Sequence, residues 1–205
     1  MHMKTINASL GPCLAALLAL GCGPNKLPAP DESKPVTDAG QKPQSEKKDT
    51  PRPTVFTSDN GRYSVALPPA ATSMKTEEKT KDSPLGKVFT TTLKAQLGNA
   101  SLQVLSFAFP KELFKPADTP KRLNSIRDKL VSSLRGKLLE EKEVKLDGHL
   151  GRDLRIQPEK PGLLFRARIY LVQGRTYQII SLGPKTRVDS REVDEFLESF
   201  KLAGK

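Results

Sequence analysis

Twenty residues near the end of the chain, LLFRARIYLVQGRTYQIISL (163–182), decide the fold class. Apolar and polar side chains alternate from Leu163 to Val172, which is the period of a strand with one buried face. Gln173-Gly174 is a two-residue turn signal, and a second strand pattern runs from Thr176 to Leu182. The stretch therefore predicts an antiparallel hairpin, and its first half is the strongest strand signal in the chain.

The same pattern predicts further strands on both sides of this hairpin. They are expected at residues 55–57, 63–67, 74–81, 88–97, 102–109, 137–146 and 150–157. The short hairpin turns between them argue against a parallel doubly wound sheet, whose crossovers need more helices. The strands therefore predict a meandering antiparallel sheet of about six to eight strands.

Two main helices complete the expected α+β fold. The first begins at Asp118 or Thr119 with Pro120 at its first position, and its three- and four-residue apolar spacing stops at Gly136. The second follows the cap Asp189-Ser190. Its apolar residues share one face: Val193, Phe196, Leu197 and Phe200.

The first residues of the chain have the composition of an export signal. Lys4 is the only charged residue before an apolar run from Leu10 to Leu20. Eleven helical residues rise about 16 Å, which is too short for a hydrocarbon core of roughly 30 Å. Residues 1–21 are therefore predicted to be a signal peptide and not a membrane span.

The run Leu18-Ala19-Leu20-Gly21-Cys22 resembles a bacterial lipobox, in which a small residue precedes the cysteine that receives the lipid. Gly21 fits the signal peptidase, and the thiol of Cys22 accepts the lipid. The alternative is an ordinary secretory signal that contains a cysteine. The other cysteine, Cys13, lies in the removed segment, so the mature chain would have no disulfide, thiolate metal site or cysteine nucleophile.

Residues 22–54 are predicted to be a disordered linker behind the lipid. They contain seven prolines and no aromatic residue, so they bury too little apolar surface to offset the entropy of folding. A proline-rich chain of this length reaches up to about 100 Å. The globular domain is expected at residues 55–205.

The domain contains five segments that carry a family pattern: Gly61–Pro68, Gly148–Leu154, Arg166–Val172, Arg175–Ile179 and Phe196–Leu202. Together they resemble the PsbP/DcrB-like family of small extracytoplasmic domains. The resemblance implies an α/β/α sandwich with a central antiparallel sheet and helices against its faces. It implies no reaction, since members of the family serve as accessory or binding modules.

Few residues offer catalytic chemistry. His149 is the only histidine besides His2, and no serine lies in a Gly-x-Ser-x-Gly elbow. Glu140, Glu141 and Glu143 suggest a cation site, but only two of them share a strand face, and a solvated strand edge is the favoured interpretation. No enzyme activity, metal or cofactor is therefore predicted.

Arginines form the one candidate binding site for an anion. Alternation places Arg166 and Arg168 on one face of their strand, and Arg152 and Arg175 lie on or near neighbouring strands. Converging guanidinium groups would bind carboxylate, phosphate or sulfate. The favoured alternative is structural: the arginines lie over the sheet or pair with acidic residues, namely Asp153, Glu159 and Glu195.

The net positive charge and the predicted export of the chain together indicate which kind of function to expect. The chain carries +11, and residues 55–205 hold 27 basic against 18 acidic residues, which favours acidic surfaces. Export argues against a nucleic-acid partner. We expect a non-enzymatic lipoprotein, tethered on the periplasmic side of the inner or outer membrane, that supports another envelope component. The alternative is a binding protein for an anionic small molecule or polymer.

Overall fold

The computed structural model describes residues 52–83, 86–110 and 114–203. The predicted signal peptide, Cys22 and almost all of the linker lie outside the described residues. The strands are β1 (Thr54–Ser58), β2 (Tyr63–Leu67), β3 (Ala71–Ser83), β4 (Gly86–Leu97), β5 (Ala100–Ala108), β6 (Lys137–Leu146), β7 (His149–Gln157), β8 (Leu163–Val172), β9 (Arg175–Pro184) and β10 (Lys201–Leu202), and the helices are α1 (Thr119–Ser133), α2 (Lys185–Val188) and α3 (Arg191–Glu198).

Seven strands form one antiparallel sheet in the order β3-β4-β5-β9-β8-β7-β6. The hairpin predicted at 163–182 is β8–β9, which lies between β5 and β7 in the interior of the sheet. Its turn residues, Gln173 and Gly174, both have positive φ angles, 45° and 84°, as a tight two-residue hairpin turn requires. The predicted antiparallel sheet of six to eight strands is confirmed.

A second, three-stranded sheet has the order β1-β2-β10. The sequence pattern had suggested that β1 and β2 continue the central sheet, which is wrong. Their alternate residues Tyr63, Val65 and Leu67 are buried, and they pack against the face of the large sheet. β10 was not predicted, because two residues are too few to show a strand period.

The two faces of the large sheet have different covers. α1 contacts β7 and β8, and its Arg127 forms an ion pair with Glu141 of β6. Glu141 lies directly opposite the buried Leu154 of β7, so α1 covers the face on which these two side chains lie. The opposite face carries the small sheet and α3. The layers therefore form a sandwich, but one outer layer is mostly sheet, where the resemblance implied helices on both faces.

The core between the two sheets is centred on a cluster of aromatic rings. Phe200 stacks on Tyr63 with ring centroids 5.5 Å apart and lies 5.3 Å from the ring of Tyr177. Tyr170 completes the cluster, stacked on Phe200 at 6.2 Å. Offset and tilted arrangements of this kind stabilise beyond the area that they bury. The prediction that Phe200 lies on the last helix is wrong: α3 ends at Glu198, and Phe200 contacts both sheets from the link between α3 and β10.

Gly136 takes part in the end of α1, where its N–H donates to the carbonyl oxygen of Val131 at 2.9 Å, and it also has a second role. α1 ends at Ser133, and the residue with the left-handed φ angle, 43°, is Arg135. A Cβ atom on Gly136 would lie 2.6 Å from the carbonyl oxygen of Gln157. Glycine is therefore needed here because the backbone passes close to the end of β7.

Candidate functional site

Arg166 and Arg168 lie on one face of β8, with Asp153 of β7 beside them. The strand register sets Arg168 directly opposite Asp153, and Arg155 directly opposite Arg166. Side chains opposite each other in an antiparallel pair share a face. This face also receives α3, so the arginines border the core and do not project freely into solvent.

Carboxylates compensate both guanidinium groups. The Nε of Arg168 donates to Oδ2 of Asp153 at 2.9 Å, and its Nη2 lies 3.6 Å from Oε1 of Glu198. Arg166 donates to Asp194, and its Nε lies 3.7 Å from Oδ1 of Asp153. Burial opposes the charge of Arg168, but the hydrogen bond and charge of Asp153 outweigh it, and the pKa of Arg168 is raised. Carboxylates of the same domain therefore balance the positive charges of Arg166 and Arg168.

These ion pairs fasten the C-terminal helices to the sheet. Asp194 lies on α3 and Glu198 ends it, while Asp189, between α2 and α3, accepts from Arg155 at 2.5 Å. A cavity of about 80 Å³ lies among these side chains, lined by Glu140, Lys142, Asp153, Arg155 and Arg166. It has room for only two or three water molecules, and its charges are mixed.

Arg152 lies on the opposite face of the sheet. Its Nε is 3.0 Å from Oε1 of Glu141, and its Nη1 is 3.2 Å from Oε2 of Glu143. Arg127 of α1 also binds Glu141, at 2.8 Å. β6 is an edge strand, and the side chains of Glu140 and Glu143 are 43 % and 57 % exposed, as expected for a solvated edge. Glu141 departs from this expectation, because its side chain is only 22 % exposed and pairs with two arginines.

Arg175 lies at the far end of β9 from the other arginines. Its Nη1 donates to the carbonyl oxygen of Asn60 at 2.9 Å and to Oγ of Ser106 at 2.8 Å. Within the described residues it has no ion-pair partner. Burial lowers the pKa of Arg175, and the charge of Arg62 lowers it further. The four predicted arginines thus do not form a single cluster.

The structure contains a larger polar cavity that sequence reasoning missed. It has a volume of about 240 Å³ and lies between the β1–β2 turn and strands β3 and β4. Asn60 donates to Glu78 across it at 2.8 Å. Its lining residues are Phe56, Thr57, Ser58, Asp59, Asn60, Tyr63, Thr76, Glu77, Glu78, Thr91 and Thr92. These residues come from four strands, so no single stretch of sequence indicates them.

Tyr63 forms part of the wall of this cavity. Burial raises the pKa of Tyr63 to about 12, against the smaller lowering effect of its contacts with Thr91 and Ser58. The phenol is therefore neutral throughout the physiological pH range. It can exchange hydrogen bonds with a neighbour but offers no negative charge for nucleophilic or base chemistry.

Residues 52–83, 86–110 and 114–203 contain neither a cluster of potential metal ligands nor a helix that could span a membrane. No group of three or more His, Cys, Asp or Glu side chains there is arranged to hold a metal ion. No helix in the same part of the chain is long and apolar enough to cross a bilayer. His149 begins β7 beside the Asp147-Gly148 turn and is half-buried.

Comparison with known proteins gives fold similarities only. No protein-family model matches the chain, and no curated protein does. The solution structure of cyanobacterial PsbP from Synechocystis is similar at 12 % identity, over 78 % of this chain and 98 % of that one, with a TM-score of 0.49.

Two crystal structures are similar at lower scores. A Pseudomonas aeruginosa protein of unknown function is 13 % identical over 70 % of this chain and 90 % of its own, with a TM-score of 0.37. A protein from Bacteroides thetaiotaomicron is 11 % identical over 74 % of this chain and 48 % of its own, also at 0.37. These similarities do not establish a family, a ligand or a partner for this chain.

Proposed function

We propose that this protein is a lipid-anchored, non-enzymatic module of the bacterial cell envelope, held on the extracytoplasmic side of a membrane by Cys22. The observation that carries the proposal is the run Leu18–Cys22, an apolar segment that ends in Gly21-Cys22, followed by a proline-rich stretch. Because the apolar run is too short to span a bilayer, the membrane attachment in this proposal is a thioether-linked lipid on Cys22.

The geometry of the domain supports a role in binding a partner rather than in catalysing a reaction. Arg152, Arg166 and Arg168 each lie within ion-pair distance of two carboxylates. The cavity beside Tyr63, at about 240 Å³, is smaller than the 300 to 1,000 Å³ typical of small-molecule sites. A partner is therefore expected to bind a surface of the domain, as an accessory module requires.

The PsbP/DcrB-like character of the domain is part of this proposal. Two of the segments that carry the resemblance, Gly61–Pro68 and Phe196–Leu202, contain β2, the end of α3 and β10. Ser199 joins them: the backbone N–H of Ala66 donates to its Oγ at 2.9 Å. The motif therefore has a structural reason, since it builds the layer that covers the large sheet.

Replacement of the lipidated cysteine tests the anchor. A Cys22→Ser variant is expected to incorporate no labelled palmitate and to leave the membrane fraction for the soluble extracytoplasmic fraction. Cys13→Ser is the matched control, because Cys13 lies in the segment that is removed, and it should be labelled and retained like the natural protein. Membrane retention of Cys22→Ser would refute the proposed anchor.

A further inference from the structure

The edge hairpin β3–β4 presents four lysines on one face. Lys75, Lys79 and Lys81 alternate along β3, and the register sets Lys94 of β4 directly opposite Lys75. Residues two apart on a strand, and residues opposite each other on paired strands, share a face. We call these four residues the lysine face.

The charge of the lysine face is compensated only in part within the described residues. Glu77 is the only acidic residue of β3 or β4 on this face, and its Oε1 lies 2.5 Å from Nζ of Lys79. Lys75, Lys81 and Lys94 have no ion pair in the described part of the chain. The four lysines and Glu77 therefore give the face a net charge of about +3, whereas Arg152, Arg166 and Arg168 are paired with carboxylates.

The direct opposition of Lys75 and Lys94 is unfavourable for the isolated domain. Like charges at opposite positions of an antiparallel pair destabilise the pair. Both lysines are exposed, as are Lys79 and Lys81. β3 is an edge strand, and its side chains are exposed along nearly its whole length. An anionic partner would relieve the repulsion between these two lysines.

We propose that the lysine face docks the domain onto the anionic phospholipid headgroups of the membrane to which it is tethered. This inference rests on the proposed function, since a lipid on Cys22 and a linker reach of about 100 Å would hold the domain near that surface. The four lysines share one face of a two-stranded segment, so they can approach the same anionic surface. Each lysine near an anionic bilayer is worth roughly a fivefold gain in affinity.

The test uses the Cys22→Ser mature chain, which carries no lipid, so its outcome is independent of the anchor. Binding is measured by co-sedimentation with phosphatidylglycerol–phosphatidylcholine vesicles and with pure phosphatidylcholine vesicles, at low and high salt. The triple substitution Lys75→Gln, Lys81→Gln and Lys94→Gln is compared with Lys137→Gln, Lys145→Gln and Lys160→Gln. The second set removes the same charge from exposed lysines elsewhere.

We expect salt-sensitive binding to the anionic vesicles alone, and a loss of about 100-fold from the lysine-face triple variant. The control triple variant should lose several-fold at most, and both should unfold at the temperature of the parent chain or above. Equal weakening by both sets would overturn the inference. Binding to a soluble polyanion such as heparin without binding to anionic vesicles would also overturn it, in favour of a polymeric ligand.

Discussion

At the scale of single residues, Arg166 and Arg168 show how a candidate binding group becomes part of the structure. Their side chains are 13 % and 17 % exposed and bind carboxylates of β7 and α3. Breaking a desolvated ion pair leaves a buried charge without a partner, which costs more than losing an exposed pair.

We therefore expect the double substitution Arg166→Gln and Arg168→Gln to lower the free energy of unfolding by about 2 to 4 kcal/mol. Arg191→Gln is the control, because Arg191 is 90 % exposed in its pair with Glu195 and should matter by less than about 0.5 kcal/mol. Urea denaturation measures both. A double variant as stable as the natural protein would show that these ion pairs do not hold α3 to the sheet.

The raised pKa of Tyr63 predicts that the folded protein loses stability at high pH. Its pKa is about 12 in the folded protein and about 10 in the unfolded chain. Below pH 10 both states hold the proton, so the full contribution to stability is present. Between pH 10 and 12 the phenol loses its proton in the unfolded state but keeps it in the folded state. The free energy of unfolding therefore falls by about 1.4 kcal/mol per pH unit in this range.

Urea denaturation at pH 8 and pH 11 measures this loss in the natural protein and in Tyr63→Phe. Phenylalanine keeps the ring in the aromatic cluster but has no proton to lose, so its stability should fall less between the two pH values. Tyr170 and Tyr177, whose pKa values burial also raises, titrate in both proteins. Identical losses in the two proteins would mean that Tyr63 does not contribute.

At the scale of elements, Ser199 links the end of α3 to the small sheet. Its Oγ accepts the N–H of Ala66 at 2.9 Å and donates to the carbonyl oxygen of Phe196 at 2.8 Å. Ser199→Ala leaves a half-buried N–H of β2 without this partner and is expected to cost about 1 to 2 kcal/mol of unfolding free energy.

Thermal unfolding compares Ser199→Ala with Ser132→Ala, which changes an exposed serine of α1 and should alter stability by a few tenths of a kcal/mol. A loss from Ser199→Ala that is no larger than the loss from the control would show that the link between α3 and β2 is dispensable.

Long elements with a clear period could be predicted from the sequence, and short or paired ones could not. Alternation over ten residues identified β8, and the Gln173-Gly174 turn identified its partner. β10 has two residues, and its pairing with β2 depends on a contact between distant parts of the chain. Alternation also placed Arg166 and Arg168 on one face, but a strand period says nothing about which acidic residues a later helix brings to them.

At the scale of the whole molecule, charge is distributed unevenly. Arg152, Arg166 and Arg168 form ion pairs within the domain, whereas most of the charge of the lysine face at the β3 edge has no ion-pair partner. A net charge of +11 therefore predicted an acidic partner surface without locating it. Location depends on the sheet order, which places β3 at an edge.

The covalent state of Cys22 tests the central claim most directly. The account predicts that protein purified from the membranes of the producing bacterium, digested and analysed by mass spectrometry, has an N-terminal peptide that begins at Cys22 and carries a diacylglyceryl mass on its sulfur. Cleavage at another bond, or a Cys22 peptide with a free thiol, would contradict it.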